Sequence, residues 1–392
     1  MNPELSNFAA RLRGQISSES REGREVGEVK PFPSQPSCSS RDIFEKEFPK
    51  LALELFALQF KHNAAYRKIC AARKLTPETV AHWTQIPVVP TAAFKELELT
   101  SLAPVERTAV FHSSGTTEQK PSRHFHCPES LAVYEASLWE WFQANCDVAL
   151  ADCELICLTP SPSQVPQSSL VHMFDTVWQK ISGGASVPAS RSPFIGKLDK
   201  DGAWTLNFEA ALSALSANAK LKTQNSIVIL GTAFSFVHLL DVLVESNLRL
   251  ELPAGSRVLE TGGYKNRSRS LPKAELHTLI TERLGVPREN ILCEYGMSEL
   301  SSQAYDFEVG SQKSEIRSFH FPPWARAQII SPETNIEVAE GETGLIRIFD
   351  LANVFSVAAI QTEDLGVKRG DGFELIGRAQ LAEPRGCSLM TA

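Results

Sequence analysis

Between Cys153 and Gly296, short apolar runs alternate with segments of helical period: "ELICLTP", "SSLVHMFDTVWQKI", "SIVILGTA", "FSFVHLLDVLVESNL", "SRVLETGG", "LPKAELHTLITERLG" and "ENILCEYG". A run that is apolar at every position has two faces to hide, and helices that alternate with such runs supply the cover for both. The order predicts an α/β domain with a substantially parallel sheet. In sheets of that kind the ligand crevice forms from the loops beyond the carboxyl ends of the strands.

The flanking segments differ in character. From Arg41, Phe44, Phe48, Leu51, Leu55 and Leu58 recur at helical spacing despite Pro49, which predicts helical packing material. In "PESLAVYEASLWEWFQAN", Leu131, Tyr134, Leu138 and Phe142 share one helical face, and Trp139 and Trp141 read as packing residues. From Trp324 the chain turns to strands and turns, "WARAQIIS", "GLIRIFDL" and "VAAIQTEDLGVKRGDGFELIGRA", which predicts a smaller β-rich lobe. Residues 1–40 are rich in Ser, Glu, Arg and Pro and read as a poorly ordered lead-in. The expected division is therefore 1–40 lead-in, 41–323 α/β core, 324–378 β-rich lobe and 379–392 tail.

Composition narrows the function. Of 392 residues 43% are hydrophobic, which is ample for a core, and the formal charge of -7 argues against a general nucleic-acid or membrane-surface binder. No apolar run is long enough to span a membrane, and the N-terminus lacks the apolar region of a signal peptide, so the cytoplasm is the expected compartment. Eight cysteines are scattered without a CxxC or a Cys/His ligand cluster, so the spacing predicts no structural zinc. Cys153 and Cys157, four apart in an apolar strand, read as core thiols on one face.

Four segments can carry chemistry, and each also has a plain structural explanation. "FHSSGTTEQKPSRHFH" offers hydroxyls from Ser114, Thr116 and Thr117 around Gly115, with Lys120 and Arg123 as cations. That is a phosphate cradle or a polar turn, and it lacks the second glycine and Lys-Ser/Thr of a P-loop. "VLETGG" ends a strand in Gly262-Gly263, where backbone can approach a flat ligand or simply turn. "CEYGMSE" places Tyr295 before Gly296, for ring stacking, and Glu299 three residues beyond, within reach of a hard cation; an exposed turn with a capping glutamate is the alternative. "TEDLG" and "GR" set Asp364 before a turn and Arg378 near it, as a ribose-binding carboxylate and its companion or as an ordinary hairpin.

In this order and at these separations, the Ser/Thr/Gly loop, GG, YGxSE, TEDLG and GR resemble the core motif series of adenylate-forming enzymes. "SSGTTEQKPSR", "EYGMSELSSQ", "TEDLG" and "AEPRGCSL" narrow the resemblance to the LuxE-type acyl-protein synthetase family, from about Arg41 onward. The resemblance implies an adenylate-forming large domain without the usual C-terminal lid. It implies ATP and Mg2+ as cofactors, a carboxylic and specifically fatty acid as substrate, and an acyl reductase as protein partner. Residue by residue, Ser114, Gly115, Thr116 and Thr117 would contact phosphate, Gly262 and Gly263 would flank adenine and the acyl group, and Tyr295 would stack on adenine. Glu299 would hold Mg2+, Asp364 the ribose hydroxyls with Arg378 nearby, and Cys387 would accept the acyl group beside Arg385 and Gly386.

Two departures from the pattern stand out. Glu118 occupies a place that is commonly glycine, and fourteen residues follow Arg378 where relatives carry a lid with an adenylation lysine. Lys120, Arg123 or Lys265 would then supply the positive charge. A ligase that passes the acyl group to coenzyme A or a carrier thiol, and a silent nucleotide-binding subunit, are the alternative readings.

Overall fold

The computed structural model describes residues 2–22, 38–113, 120–146, 153–183, 192–200, 202–221, 225–264, 268–308 and 317–378. The chain opens with α1 (Pro3–Glu22), α2 (Cys38–His62) and α3 (Ala64–Ala72), then β1 (Val89–Pro90) and α4 (Ala93–Glu96). A hairpin of β2 (Ala109–His112) and β3 (Arg123–His126) leads into α5 (Pro128–Cys146). The alternating region follows as β4 (Glu154–Cys157), α6 (Ser169–Ile181), β5 (Gly196–Leu198), β6 (Trp204–Leu206), α7 (Phe208–Leu221), β7 (Ile227–Thr232), α8 (Ala233–Glu245), β8 (Arg257–Thr261), α9 (Lys273–Leu284) and β9 (Ile291–Tyr295). Strands dominate thereafter: β10 (Ala304–Glu308), β11 (Arg317–His320), β12 (Ala325–Ile330), β13 (Thr343–Asp350), β14 (Ala359–Arg369) and β15 (Gly372–Arg378).

The α/β class expected from the alternation is the one observed. Strands β9, β8, β7 and β4 are parallel neighbours in that order. The strands beyond β9 continue the same sheet in antiparallel fashion, as β12-β13-β14-β15-β11-β10 joined to β9, with β1 parallel to β14 at the side. The sheet is therefore mixed, and the β-rich segment extends the α/β sheet through the hydrogen-bonded β9–β10 pair.

Side chains on the parallel strands alternate between two cores, as period-2 geometry demands. Val228, Leu230 and Leu259 face the core built with α1, α2, α5 and α6, whereas Ile227, Ile229 and Val258 face the core of α7, α8 and α9. Cys157 is buried and Cys153 packs against the same first core, as their spacing predicts. Trp141 is buried beside Phe307, and Trp139 lies along Phe142, so both tryptophans serve packing.

One expectation fails. Residues 3–22 are helical, with Leu5, Phe8, Leu12 and Ile16 buried in the first core, so this stretch is no poorly ordered lead-in. The physical reason is a stripe at i, i+3/i+4 spacing that enough apolar area covers, although the segment as a whole is polar. Across the described helices none is long and apolar enough to cross a membrane.

Candidate active site

The carboxyl ends of β8 and β9 lie side by side, with Thr261 opposite Glu294. Gly262 follows β8 with φ +65°, a left-handed conformation that explains a glycine there, and both Gly262 and Gly263 are exposed. Gly296 follows β9 for a different reason: a Cβ would strike the Glu294 carboxylate. That carboxylate is buried, accepts from the Thr261 hydroxyl, and has its pKa raised from 4.5 to about 7. Burial is the main cause, with the nearby Glu260 charge adding to it and the Thr261 hydrogen bond opposing.

Tyr295, Asp364 and Arg378 meet at this edge. The Tyr295 hydroxyl donates to Asp364 Oδ2 at 2.8 Å, and Arg378 Nε stands 3.5 Å from Asp364 Oδ1. Asp364 does not precede a turn, since β14 continues to Arg369 and pairs Asp364 with Arg378 on β15. A bulge between Leu365 and Gly366 interrupts the register beside it, a device that re-aims side chains. The Tyr295 ring is 7% exposed, held edge-on against Phe373 with Phe319 and Phe321 around it, so its oriented hydroxyl is its main polar contribution. Burial, and then the Asp364 charge, keep the phenol protonated by raising its pKa. Arg378 is largely exposed.

The turn after Gly296 is fixed from two sides. Ser298 donates to Glu299 Oε2 at 3.0 Å, and the buried Glu299 is engaged by no ion pair among the described residues. From below, Asp350 accepts from the Ser301 and Ser302 amides at 2.8 and 2.9 Å and from the Ser302 hydroxyl at 2.7 Å. Asn353 donates to the Glu299 carbonyl at 2.9 Å. From above, the β2–β3 hairpin docks on the turn. His124 Nδ1 donates to the Ser298 carbonyl at 2.9 Å, and the Ser122 and Ser298 hydroxyls lie 3.3 Å apart. Burial lowers the His124 pKa to about 4, so the ring is neutral at pH 7.

The same hairpin carries the hydroxyl-rich loop. Its base is closed by the Ser122 amide donating to Ser113 Oγ at 2.9 Å. Ser114, Gly115, Thr116, Thr117 and Glu118 lie outside the described residues, as do Lys265, Arg385, Gly386 and Cys387. Lys120 Nζ stands 3.4 Å from Glu96 and Arg123 Nη1 3.5 Å from Glu98. Arg123 alternates with His124 along β3, so its side chain leaves the face that meets Ser298.

The structure thus brings together Gly262, Gly263, Tyr295, Gly296, Glu299, Asp364 and Arg378 at one sheet edge, with the loop-bearing hairpin bonded to it. Reading the sequence missed His124, Glu294 and Asp350. The available signal was weak: "HFH" is an alternating polar pattern that suits an exposed hairpin equally well.

Comparison with known proteins fits this arrangement. The acyl-protein synthetase family LuxE matches residues 24–123 and 178–392, well over half of the chain. The chain belongs to the LuxE acyl-protein synthetase family. LuxE relatives include the long-chain-fatty-acid–luciferin-component ligase of Aliivibrio fischeri, 25% identical over 366 residues, which span 88% of this chain and 87% of that protein. The Vibrio harveyi protein of the same name is 23% identical over 359 residues, 87% and 86% of the two chains. Among solved structures, an open conformation of 2-hydroxyisobutyryl-CoA ligase in complex with 2-HIB-AMP and CoA superposes with a TM-score of 0.61. It covers 90% of this chain and 74% of that one, and at 13% identity the likeness shows the fold, that of adenylate-forming enzymes. This LuxE chain is accordingly an enzyme of the ligase class.

Proposed function

We propose that this protein activates a fatty acid with ATP as an acyl-adenylate and transfers the acyl group to its own Cys387 thiol, for delivery to an acyl reductase. The observation that carries the reading is the Tyr295–Asp364–Arg378 constellation at the carboxyl edge of a parallel ladder, beside the Gly262-Gly263 turn. Asp364 has two oxygens with lone pairs to spare, and Tyr295 fixes their direction, which suits a carboxylate that accepts from two ribose hydroxyls. Arg378, exposed beside it, is free to meet the same ribose or a phosphate.

The chemistry needs an activated carbonyl. The fatty carboxylate oxygen attacks the α-phosphorus, the bond to the bridging oxygen breaks, and pyrophosphate leaves with the electron pair. The Cys387 thiolate then adds to the acyl carbon and AMP leaves, which conserves the activated state as a thioester. Alignment of the reacting atoms and stabilisation of developing oxygen charge supply most of the rate. Residues 114–117 would meet the phosphates, with Lys120 or Arg123 swinging from their acidic partners to add charge. Glu299, buried, oriented by Ser298 and without a described cation, is the residue suited to hold Mg2+, which when bound would neutralise phosphate charge. We place this reaction in the cytoplasm, in keeping with cysteines that form no disulfide among the described residues.

The test is pyrophosphate exchange into ATP, run against acids of graded chain length. Acid-dependent exchange is expected, and its absence would leave only a silent nucleotide-binding subunit. With coenzyme A omitted, radiolabelled acid is expected on the protein in hydroxylamine-labile form and absent from Cys387→Ser. Label that persists in that variant removes Cys387 from the mechanism, and label that appears only on added coenzyme A favours a CoA ligase.

A further inference from the structure

Beneath the two glycine-bearing turns, on the opposite face of the sheet from Glu294, three buried side chains from three elements converge: Glu260 on β8, His277 on α9 and Cys293 on β9. Cys293 Sγ stands 3.1 Å from Glu260 Oε2 and 3.5 Å from His277 Nε2, and His277 Nε2 stands 3.6 Å from Glu260 Oε2. We propose that these three residues are the protein ligands of a zinc ion that clamps β8, β9 and α9 together behind the nucleotide-binding edge.

Geometry separates this from the other chemistry a Cys, a His and a carboxylate can perform. A nucleophilic triad uses the two imidazole nitrogens on different partners, one toward the thiol and one toward the acid. Here the single atom Nε2 meets both, so the three donor atoms form a closed triangle. For tetrahedral zinc, with bonds of about 2.3 Å to sulfur and about 2.0–2.2 Å to nitrogen and oxygen, the ligand atoms stand about 3.4–3.6 Å apart. The observed edges of 3.1, 3.5 and 3.6 Å come within half an ångström of that.

Charge and hydrogen bonding point the same way. Two cations stand beside the cluster: Lys273 and Arg317 both reach Asp306, at 3.0 and 2.9 Å, and Lys273 also interacts with the Cys293 sulfur and with Glu260. Glu260 and a Cys293 thiolate would supply two negative charges to a divalent ion, and binding would release the thiol proton to solvent. His277 is 1% exposed, and among the described residues its Nδ1 has no hydrogen-bond partner and its Nε2 makes only the two long contacts above. Such an imidazole loses hydration for little return unless Nε2 bonds something stronger. The mixed thiolate, imidazole and carboxylate set selects zinc over magnesium or calcium. Sequence spacing could not show the site, because each ligand comes from a different element. Glu260 lies two residues before Gly262 and Cys293 two before Tyr295, so the ion would fix the ends of both strands that carry the nucleotide motifs.

The full-length protein, stripped with a chelator, is titrated with Co2+ and separately with Zn2+. One equivalent of Co2+ is expected to bind with a thiolate-to-cobalt charge-transfer absorption that Zn2+ displaces, and Zn2+ is expected to raise the melting temperature. Cys293→Ser should abolish the absorption, and His277→Gln and Glu260→Gln should weaken Co2+ binding by at least ~100-fold, as loss of a direct ligand exceeds the 10–100-fold typical of outer residues. Absence of the absorption in the wild type, or its survival in Cys293→Ser, overturns the proposal. Should Cys293→Ser fail to fold, wild-type Co2+ affinity in both other variants overturns it equally. Because the readouts are metal binding and melting, a negative result here leaves the acyl-transfer reading untouched.

Discussion

Replacing Glu294 with Gln tests whether a buried carboxylate at the paired ends of β8 and β9 carries the pH response of this fold. The side chain is 8% exposed, its only described hydrogen bond comes from Thr261, and the neighbouring Glu260 is a like charge. Its pKa rises from 4.5 to about 7 on folding, so the native state holds a proton that the unfolded chain has released. The sign follows from linkage: the stabilising contribution is fully present below pH 4.5 and is lost as pH rises through 7. The full difference corresponds to about 3 kcal/mol, at 1.36 kcal/mol for each pH unit. Glutamine mimics the protonated acid in shape and charge and still accepts from Thr261. Urea unfolding followed by tryptophan fluorescence should therefore show Glu294→Gln gaining on the wild type by about 2–3 kcal/mol between pH 5 and pH 8. Other groups titrate in both proteins, so the difference between them is the quantity to read. A difference that stays constant across that range would refute the reasoning.

Three further perturbations address other parts of the structure. Asp364→Ala should weaken ATP binding by at least ~10-fold in calorimetry, and Tyr295→Phe, which removes one hydrogen bond to that carboxylate, should cost about 0.5–1.5 kcal/mol; unchanged affinity in both would displace the ribose assignment. Gly296→Ala should destabilise the fold by about 1–3 kcal/mol in thermal or urea unfolding, because the new Cβ meets a carboxylate that is itself held by Thr261. Phe8→Ala should cost about 3–5 kcal/mol, as for a core phenylalanine, whereas a dispensable N-terminal segment would leave the unfolding midpoint where it is.

Much of the site was legible because its residues sit at strand ends. "VLETGG" and "CEYG" announce apolar strands that stop at glycines, and parallel neighbours must end at one edge, so their motifs must meet. The glycines looked alike in sequence yet have different causes, a left-handed φ at Gly262 and a close carboxylate at Gly296. The N-terminal helix was misread because composition averages over a segment, while burial depends on one stripe: Leu5, Phe8, Leu12 and Ile16 are hidden although their neighbours are charged. Tyr295 illustrates the limit of motif reading. Its place beside Gly296 suggested an open stacking surface, and three phenylalanines from β11, the chain after it and β15 enclose the ring instead, leaving the hydroxyl to aim Asp364.

By itself the sequence determined the alternation of strands and helices, and with it the α/β class, the neighbouring strand ends and the order of motifs along them. Those follow from local periodicity and from where glycine interrupts an apolar run. Only the tertiary structure decided the polar partnerships: Asp350 under Ser301 and Ser302, His124 over Ser298, Glu294 beneath Gly296, and the convergence of Glu260, His277 and Cys293. Each joins residues from separate elements, and what specifies it is the cost of burying an unsatisfied polar group, a quantity that exists only once the chain has packed.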